Sequence, residues 1–220
     1  MGFQVTEIFS EIDEELRREQ LRKIWQRFGG LIIAAAVLVV VAVGGWRGWM
    51  WYEQRRAAEA SVAFEAAVAL NEDGKSADAE AAFLKLAANA PRGYRTLSRL
   101  RAAADAAKAD SGAAAKIYGE VIGDSSAPRA FQDLARVRLG SLLLQTASYA
   151  DIKAMLEPAT GNGRSFVNSA RELLALSAWR ANDAAAARGW IEAITNDSSA
   201  PATMRSRAEA LQSILPTAKS

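Results

Sequence analysis

Residues 91–101 read PRGYRTLSRLR and residues 128–138 read PRAFQDLARVR, so the two stretches share a proline, an aromatic residue, a leucine and three arginines. A looser copy begins with GRSF at residue 163. Segment starts at 91, 128, 163 and 201 give spacings of 37, 35 and 38 residues, a period that indicates a helical solenoid. The pentapeptide DSSAP, at residues 124–128 and again at 197–201, marks the same junction twice.

The segments between these junctions have the pattern of helices. Apolar residues recur every three or four positions, and short stops of Gly, Pro, Asn, Asp and Ser separate the segments. No alternation typical of strands occurs, so the sequence predicts an all-α fold. The predicted helices lie near residues 53–71, 76–89, 93–109, 112–123, 128–146, 149–157, 165–181, 183–195 and 201–214.

The second helix of three predicted pairs carries an alanine four residues before an aromatic residue. These are Ala79 with Phe83, Ala114 with Tyr118, and Ala186 with Trp190. Pro91 follows Phe83 by eight residues, as in the tetratricopeptide pattern, where small residues let paired helices approach closely. The pair that includes residues 149–157 lacks the spacing. We predict about four tetratricopeptide-like repeats and a C-terminal capping helix.

Upstream of the repeats, residues 28–46 read FGGLIIAAAVLVVVAVGGW, nineteen positions without a charged side chain. As a helix this stretch is roughly 29 Å long, about the thickness of the hydrocarbon core of a bilayer. A secretory signal peptide would have a shorter apolar core and a small-residue cleavage site, whereas bulky residues follow here. The sequence predicts an uncleaved transmembrane anchor over residues 28–52. The predicted membrane-interface residues are Trp25, Trp46, Arg47, Trp49, Trp51 and Tyr52.

A single membrane crossing is expected, because the longest other uncharged stretch, residues 139–150, has only twelve residues. Five Lys or Arg residues precede the anchor and three follow it closely, which favours a cytoplasmic N-terminus. The predicted organisation is a cytoplasmic amphipathic segment (1–27), the anchor (28–52), a tetratricopeptide-like repeat domain on the far side (53–215) and a tail (216–220).

The first segment places five apolar residues on one helical face, with charged residues opposite. A helix lying on the membrane surface or docking a cytoplasmic partner is one interpretation, and a helix that simply leads into the span is the other. The five residues are Val5, Ile8, Phe9, Ile12 and Leu16.

The residues that catalysis uses most often are missing. The chain has no histidine and no cysteine, so the usual general base, thiol nucleophile and soft metal ligands are absent. Gly74-Lys75-Ser76 imitates the end of a phosphate-binding loop, but Ala69 stands where that motif has glycine. We predict no enzyme activity, no cofactor, no metal site and no small-molecule substrate. A net charge of +2 gives no indication of nucleic acid as a partner.

The chain resembles the YfgM-type family of bacterial inner-membrane proteins. The resemblance lies in a single N-terminal span ending in Gly45-Trp46-Arg47-Gly48-Trp49, an alanine-rich helix over residues 57–70, and tetratricopeptide-like helix pairs. It implies an ancillary subunit of the Sec translocon, whose periplasmic repeat domain assists exported polypeptides together with chaperone partners. The longer, charge-dense N-terminal segment departs from that pattern.

Five arginines are candidates for partner binding: three on one side of their helix, and two at matching positions of the next repeat. On the concave surface of a solenoid they would bind acidic side chains or the C-terminal carboxylate of a polypeptide. The alternative is solvated arginines paired with nearby acids. The candidates are Arg92, Arg95, Arg99, Arg129 and Arg136. Five aromatic residues are instead predicted to be core between packed helices: Tyr94, Phe131, Phe166, Trp179 and Trp190.

The functional hypothesis is a membrane-anchored scaffold that binds polypeptides near the export machinery, with protein partners and membrane lipid as its contacts. Two alternatives stay open. One is an envelope scaffold that coordinates cell division or cell-wall assembly through the same groove. The other is an organelle-surface import receptor whose repeats face the cytosol.

Overall fold

The computed structural model describes the backbone of residues 4–215 and the side chains of residue 22 and residues 25–215. Within that range the secondary structure is helical, which confirms the predicted all-α fold. The predicted tail and the side chains of the predicted amphipathic face lie outside the described residues. The helices are α1 (Gln4–Glu72), α2 (Ser76–Asn89), α3 (Arg92–Ala106), α4 (Ser111–Gly123), α5 (Arg129–Leu143), α6 (Tyr149–Leu156), a 3-10 turn (Glu157–Ala159), α7 (Val167–Arg180), α8 (Ala184–Thr195) and α9 (Ala202–Ile214).

The chain divides into two compact units, Met1–Arg55 and Arg56–Ser220. In the first unit, α1 carries the uncharged stretch, and its described part contains an 18-residue window of mean hydropathy 2.6 that is only 6% buried. This helix is long and apolar enough to cross a membrane, which is consistent with a single-pass membrane protein.

Helix α1 does not end at the predicted boundary near residue 52. No glycine or proline occurs between residues 49 and 72, so nothing in the sequence removes a backbone donor or favours a left-handed residue there. The predicted helix over residues 53–71 is therefore the last part of α1 rather than a separate element.

The second unit is a row of helix pairs: the end of α1 with α2, then α3 with α4, α5 with α6, α7 with α8, and α9 last. From α2 onward each helix contacts the next, while α3 also contacts α5 and α5 contacts α7. Contact restricted to neighbouring repeats is the arrangement of a helical solenoid.

The four second helices bury the same two positions. Counted from the N-cap residue, the fourth and eighth residues are at most 4% exposed in each of them. The pairs are Ala79 with Phe83, Ala114 with Tyr118, Ile152 with Leu156, and Ala187 with Ile191. The predicted pair Ala186 and Trp190 is wrong by one position, because Asp183 caps α8. Helix α6, which was predicted but lacks the alanine–aromatic spacing, follows the same register.

Close approach in the α5/α6 pair comes from a glycine on the first helix. Gly140 of α5 faces the fully buried Leu156, and an added Cβ would lie 3.1 Å from both Cδ atoms of that leucine. In this pair a small residue therefore comes from α5, and it leaves room for Leu156 of α6.

Local capping explains why the helices begin where they do. The side chains of Asp110, Ser148 and Asp183 accept hydrogen bonds from backbone N–H groups in the first turns of α4, α6 and α8. Prolines precede α3, α5 and α9, where the missing N–H is not needed. Between α1 and α2 the chain turns at Gly74, whose φ of +78° is in the left-handed region that favours glycine.

Candidate functional site

In two of the helix pairs, an arginine on the first helix forms an ion pair with an aspartate in the junction that follows the second helix. In the α3/α4 pair, Nη1 of Arg99 lies 3.0 Å from Oδ2 of Asp124. In the α7/α8 pair, Nη1 of Arg171 lies 2.9 Å from Oδ2 of Asp197. Both aspartates are the first residue of a DSSAP pentapeptide, so the repeated sequence encodes a repeated ion pair. We call this contact the arginine clasp.

The Arg171 clasp has the larger set of hydrogen bonds. Nη1 of Arg171 also donates to the carbonyl oxygen of Ala193 at 2.9 Å and to Oδ1 of Asn168 at 3.2 Å. Nη2 donates to the carbonyl oxygen of Thr160 at 3.3 Å. Only 12% of this side chain is exposed, so its hydrogen bonds replace most of its hydration.

Serines of the DSSAP pentapeptides keep the clasp aspartates ionised. The side chain and backbone N–H of Ser199 both donate to Oδ1 of Asp197, and these bonds are the main reason that its pKa is lowered from 3.8 to about 2. Hydrogen bonds from Ser126 likewise lower the pKa of Asp124. Each arginine therefore meets a full negative charge at neutral pH.

The α5/α6 pair is closed with the two charges exchanged. Here the carboxylate is on the first helix: Asp133, 1% exposed, accepts from Nη2 of Arg164 at 2.5 Å. Nη1 of Arg136 lies 3.7 Å from the same Oδ1 atom. The segment after α6 has no DSSAP pentapeptide to supply an acid, so it supplies an arginine instead.

The five predicted partner-binding arginines occupy two kinds of position. Arg99 and Arg136 are in the ion pairs just described, and Arg95 donates to a backbone carbonyl across 3.5 Å. Arg92 and Arg129, at the starts of α3 and α5, are exposed, and their side chains bond to no described residue. Their role in partner binding stays a prediction.

An apolar groove runs along the exposed side of α7. A cavity of about 480 Å³ opens between α7 and α9, and one of about 360 Å³ opens between α7 and the end of α5. Leu176 and Trp179 of α7 line both cavities, so the two form one surface. We call it the α7 groove. Its apolar walls are Leu144, Leu176, Trp179, Leu211 and Ile214.

The α7 groove carries little free charge. Along one side Arg207 and Glu172 form a two-pronged ion pair, with N–O distances of 2.8 and 2.9 Å. Toward the other end Arg180 donates to the backbone carbonyls of Gln145 and Ala147. Such a surface favours apolar side chains over charged ones.

Trp179 corrects one prediction from the sequence. It was expected in the core, but 43% of it is exposed in the groove. The other four aromatic residues are partly buried, and Nε1 of Trp190 donates to the hydroxyl of Tyr149 at 2.9 Å. Helical periodicity alone does not distinguish the exposed Trp179 from the partly buried aromatic residues. Its exposure depends on how α9 packs at the end of the solenoid, which is a tertiary contact.

A second apolar groove lies between the last part of α1 and α2. Its cavity of about 440 Å³ is lined mainly by alanines, with Leu70 and Leu86. Arg56, Glu59, Lys85 and Asn89 stand among the polar lining residues, and Nη2 of Arg56 donates to the carbonyl of Asn89 at 2.7 Å. We call this the α1/α2 groove. The alanine lining leaves room for close approach of another helix.

In the first unit, the five rings predicted at the membrane interface are all more than half exposed. The Arg55 guanidinium stacks 4.7 Å from the centroid of Trp51, and the rings of Trp49 and Tyr52 are 6.5 Å apart. Arg47 is exposed as well. The five rings are Trp25, Trp46, Trp49, Trp51 and Tyr52.

The paired helices, their common burial register and the grooves define a helical-repeat protein of the kind that typically serves as a non-catalytic interaction scaffold. Residues 22–188 match the family model described as tetratricopeptide repeat-like domain, and the chain belongs to that family. The match begins inside α1 and ends within α8. No curated protein and no solved structure matches the chain. A domain of this family is expected to bind other proteins.

Proposed function

We propose that this protein is a membrane-anchored scaffold that holds polypeptides in the α7 groove, as an ancillary periplasmic subunit of the Sec translocon that assists exported proteins. The α7 groove carries the proposal. It combines an exposed tryptophan with four further apolar residues on a surface where Arg207 and Glu172 are paired and Arg180 is bonded to backbone carbonyls, and exposed apolar surface of this kind marks interaction sites.

The proposed location is the bacterial inner membrane. Residues 28–52 form the anchor there, residues 1–27 lie in the cytoplasm, and residues 53–215 lie in the periplasm. The five-to-three excess of Lys and Arg before the span supports this orientation. Exposed rings at Trp25 and at residues 46–52 support contacts with both lipid–water boundaries.

The exposed arginines contribute to the same function. Arg92 and Arg129 bind acidic groups of a polypeptide, whereas Arg95, Arg99 and Arg136 keep the helix pairs closed and act on partners only through the shape of the domain. Charge on Arg92 and Arg129 raises the rate of encounter more than the final affinity.

Photo-crosslinking in living cells tests the polypeptide and its pathway. A benzophenone amino acid at Trp179 of the full chain should give adducts with exported polypeptides and translocon subunits. The same group at Lys116, exposed on α4 and outside the groove, is the matched control and should give few adducts. Adducts confined to division or cell-wall enzymes would instead support the envelope scaffold.

Protease protection tests the orientation. Protease added to intact spheroplasts should digest the repeat domain and leave residues 1–27 protected. Protection of the repeat domain until the membrane is opened would place it in the cytoplasm, and the export function would then be wrong.

A further inference from the structure

The two ends of the repeat domain finish differently. Helix α9 turns mostly polar residues to solvent and buries Ala208 against the preceding repeat, as a terminal cap should. At the other end, the α1/α2 groove is open, and Ala63 and Ala66, which line it on α1, are exposed. A repeat cannot bury its apolar face alone, so the first repeat lacks a cover among the described residues of the second unit.

The polar residues of the α1/α2 groove are complementary to themselves. Glu59 on α1 and Lys85 on α2 both line the groove, both are exposed, and neither pairs with a described residue. A two-fold symmetric contact brings the same patch of two molecules face to face. In such a contact Glu59 of each copy meets Lys85 of the partner subunit.

The anchor limits which partner reaches this groove. Two copies inserted in one membrane have the same orientation, so a two-fold axis that relates them runs along the membrane normal. Arg56, the first groove residue, follows Tyr52 by four residues, no more than roughly 14 Å of extended chain. Two anchored copies therefore meet in the same orientation and at a high local concentration.

We infer that the α1/α2 groove is the contact surface for a second copy of this chain, in a parallel two-fold dimer. The exposed groove alanines Ala63 and Ala66 are buried in that contact, and two Glu59–Lys85 ion pairs set its register. This dimer is independent of polypeptide binding in the α7 groove, so either conclusion stands if the other fails.

The absence of cysteine from the chain allows a direct test in native membranes. The full-length Ala63→Cys variant, which places the thiol in the groove, should form a covalent dimer of twice the chain mass when treated with a short bismaleimide. Leu84→Cys is the matched control: Leu84 is also exposed and apolar, on α2, but it does not line the groove. Equal yields from the two variants, or adducts of another mass only, would overturn the dimer.

A charge exchange tests the register. In the Ala63→Cys chain, Glu59→Lys should lower the dimer yield roughly threefold, since each of two ion pairs becomes a repulsion. Adding Lys85→Glu restores opposite charges and should recover the yield. A double variant that stays as low as the single one would contradict the proposed pairing.

Discussion

Nη1 of Arg171 lies 2.9 Å from Oδ2 of Asp197, and this ion pair ties the first helix of one repeat to the residues that follow its second helix. The same relationship joins Arg99 to Asp124 two pairs earlier in the solenoid. Because both contacts fall at DSSAP pentapeptides, the sequence repeat and the ion pair are the same feature.

Removing the Arg171 clasp should destabilise the repeat domain. Arg171→Gln loses the ion pair to Asp197 and hydrogen bonds to two backbone carbonyls, so the free energy of unfolding should fall by about 2 kcal/mol. Urea unfolding of the full chain in nanodiscs, followed by circular dichroism, measures this change. Arg101→Gln, on the exposed side of α3, should alter stability by less than about 0.5 kcal/mol. Equal effects of the two substitutions would mean that the clasp is not a stabilising contact.

Acid should weaken the clasp within a defined pH range. The folded-state pKa of Asp197, about 2, lies below its ordinary value of 3.8, so its contribution to stability is complete above about pH 4 and is lost as the pH falls toward 2. The melting temperature of the full chain should therefore fall across that range.

Two substitutions separate this carboxylate from the others. Asp197→Asn should be less stable than the wild type at pH 7 but should show a flatter acid slope. Asp78→Asn, which removes an exposed carboxylate from the first turn of α2, should keep the wild-type slope. An unchanged slope in Asp197→Asn would assign the acid sensitivity to other groups.

Alanine substitutions at two helical glycines should have opposite signs. At Gly140 the new Cβ would lie 3.1 Å from the buried Leu156, and this overpacking outweighs the gain in helix propensity, so about 1 kcal/mol of stability should be lost. At Gly119, exposed in α4, a new Cβ meets nothing within 4 Å. Gly119→Ala should stabilise by about 0.5–1 kcal/mol. Thermal unfolding of the two variants measures both signs, and a stabilising Gly140→Ala would show that α5 and α6 are less closely packed.

Truncating Trp179 should affect binding more than folding. Trp179→Ala removes the largest exposed apolar side chain from the α7 groove, and the affinity for a captured client peptide should fall roughly tenfold. Stability should change by less than about 1 kcal/mol, because the ring is partly exposed. Fluorescence anisotropy with a labelled peptide measures the affinity. Leu84→Ala, outside the groove, is the control and should bind like the wild type; if Trp179→Ala does so too, the peptide lies elsewhere.

Helix positions were largely readable from the sequence, because caps, prolines and Gly74 act on the backbone within a few residues. The break after residue 71, the starts after Pro91, Pro128 and Pro201, and the short helix from residue 149 all agree with the structure. The register of α8 was misread by one residue, since an alanine-rich helix offers several equivalent phases until Asp183 fixes its start.

The sequence by itself determined the long apolar helix, the all-α class and the repeat period, because hydropathy, capping and internal similarity are local or composition-based properties. Tertiary structure decided which repeated residues meet. It turned Arg99 and Arg136 toward buried or half-buried aspartates, left Trp179 open beside α9, and paired Gly140 with Leu156. These outcomes depend on side chains that are far apart in the chain and come within a few ångströms of each other only through packing. A local sequence pattern does not reveal such contacts.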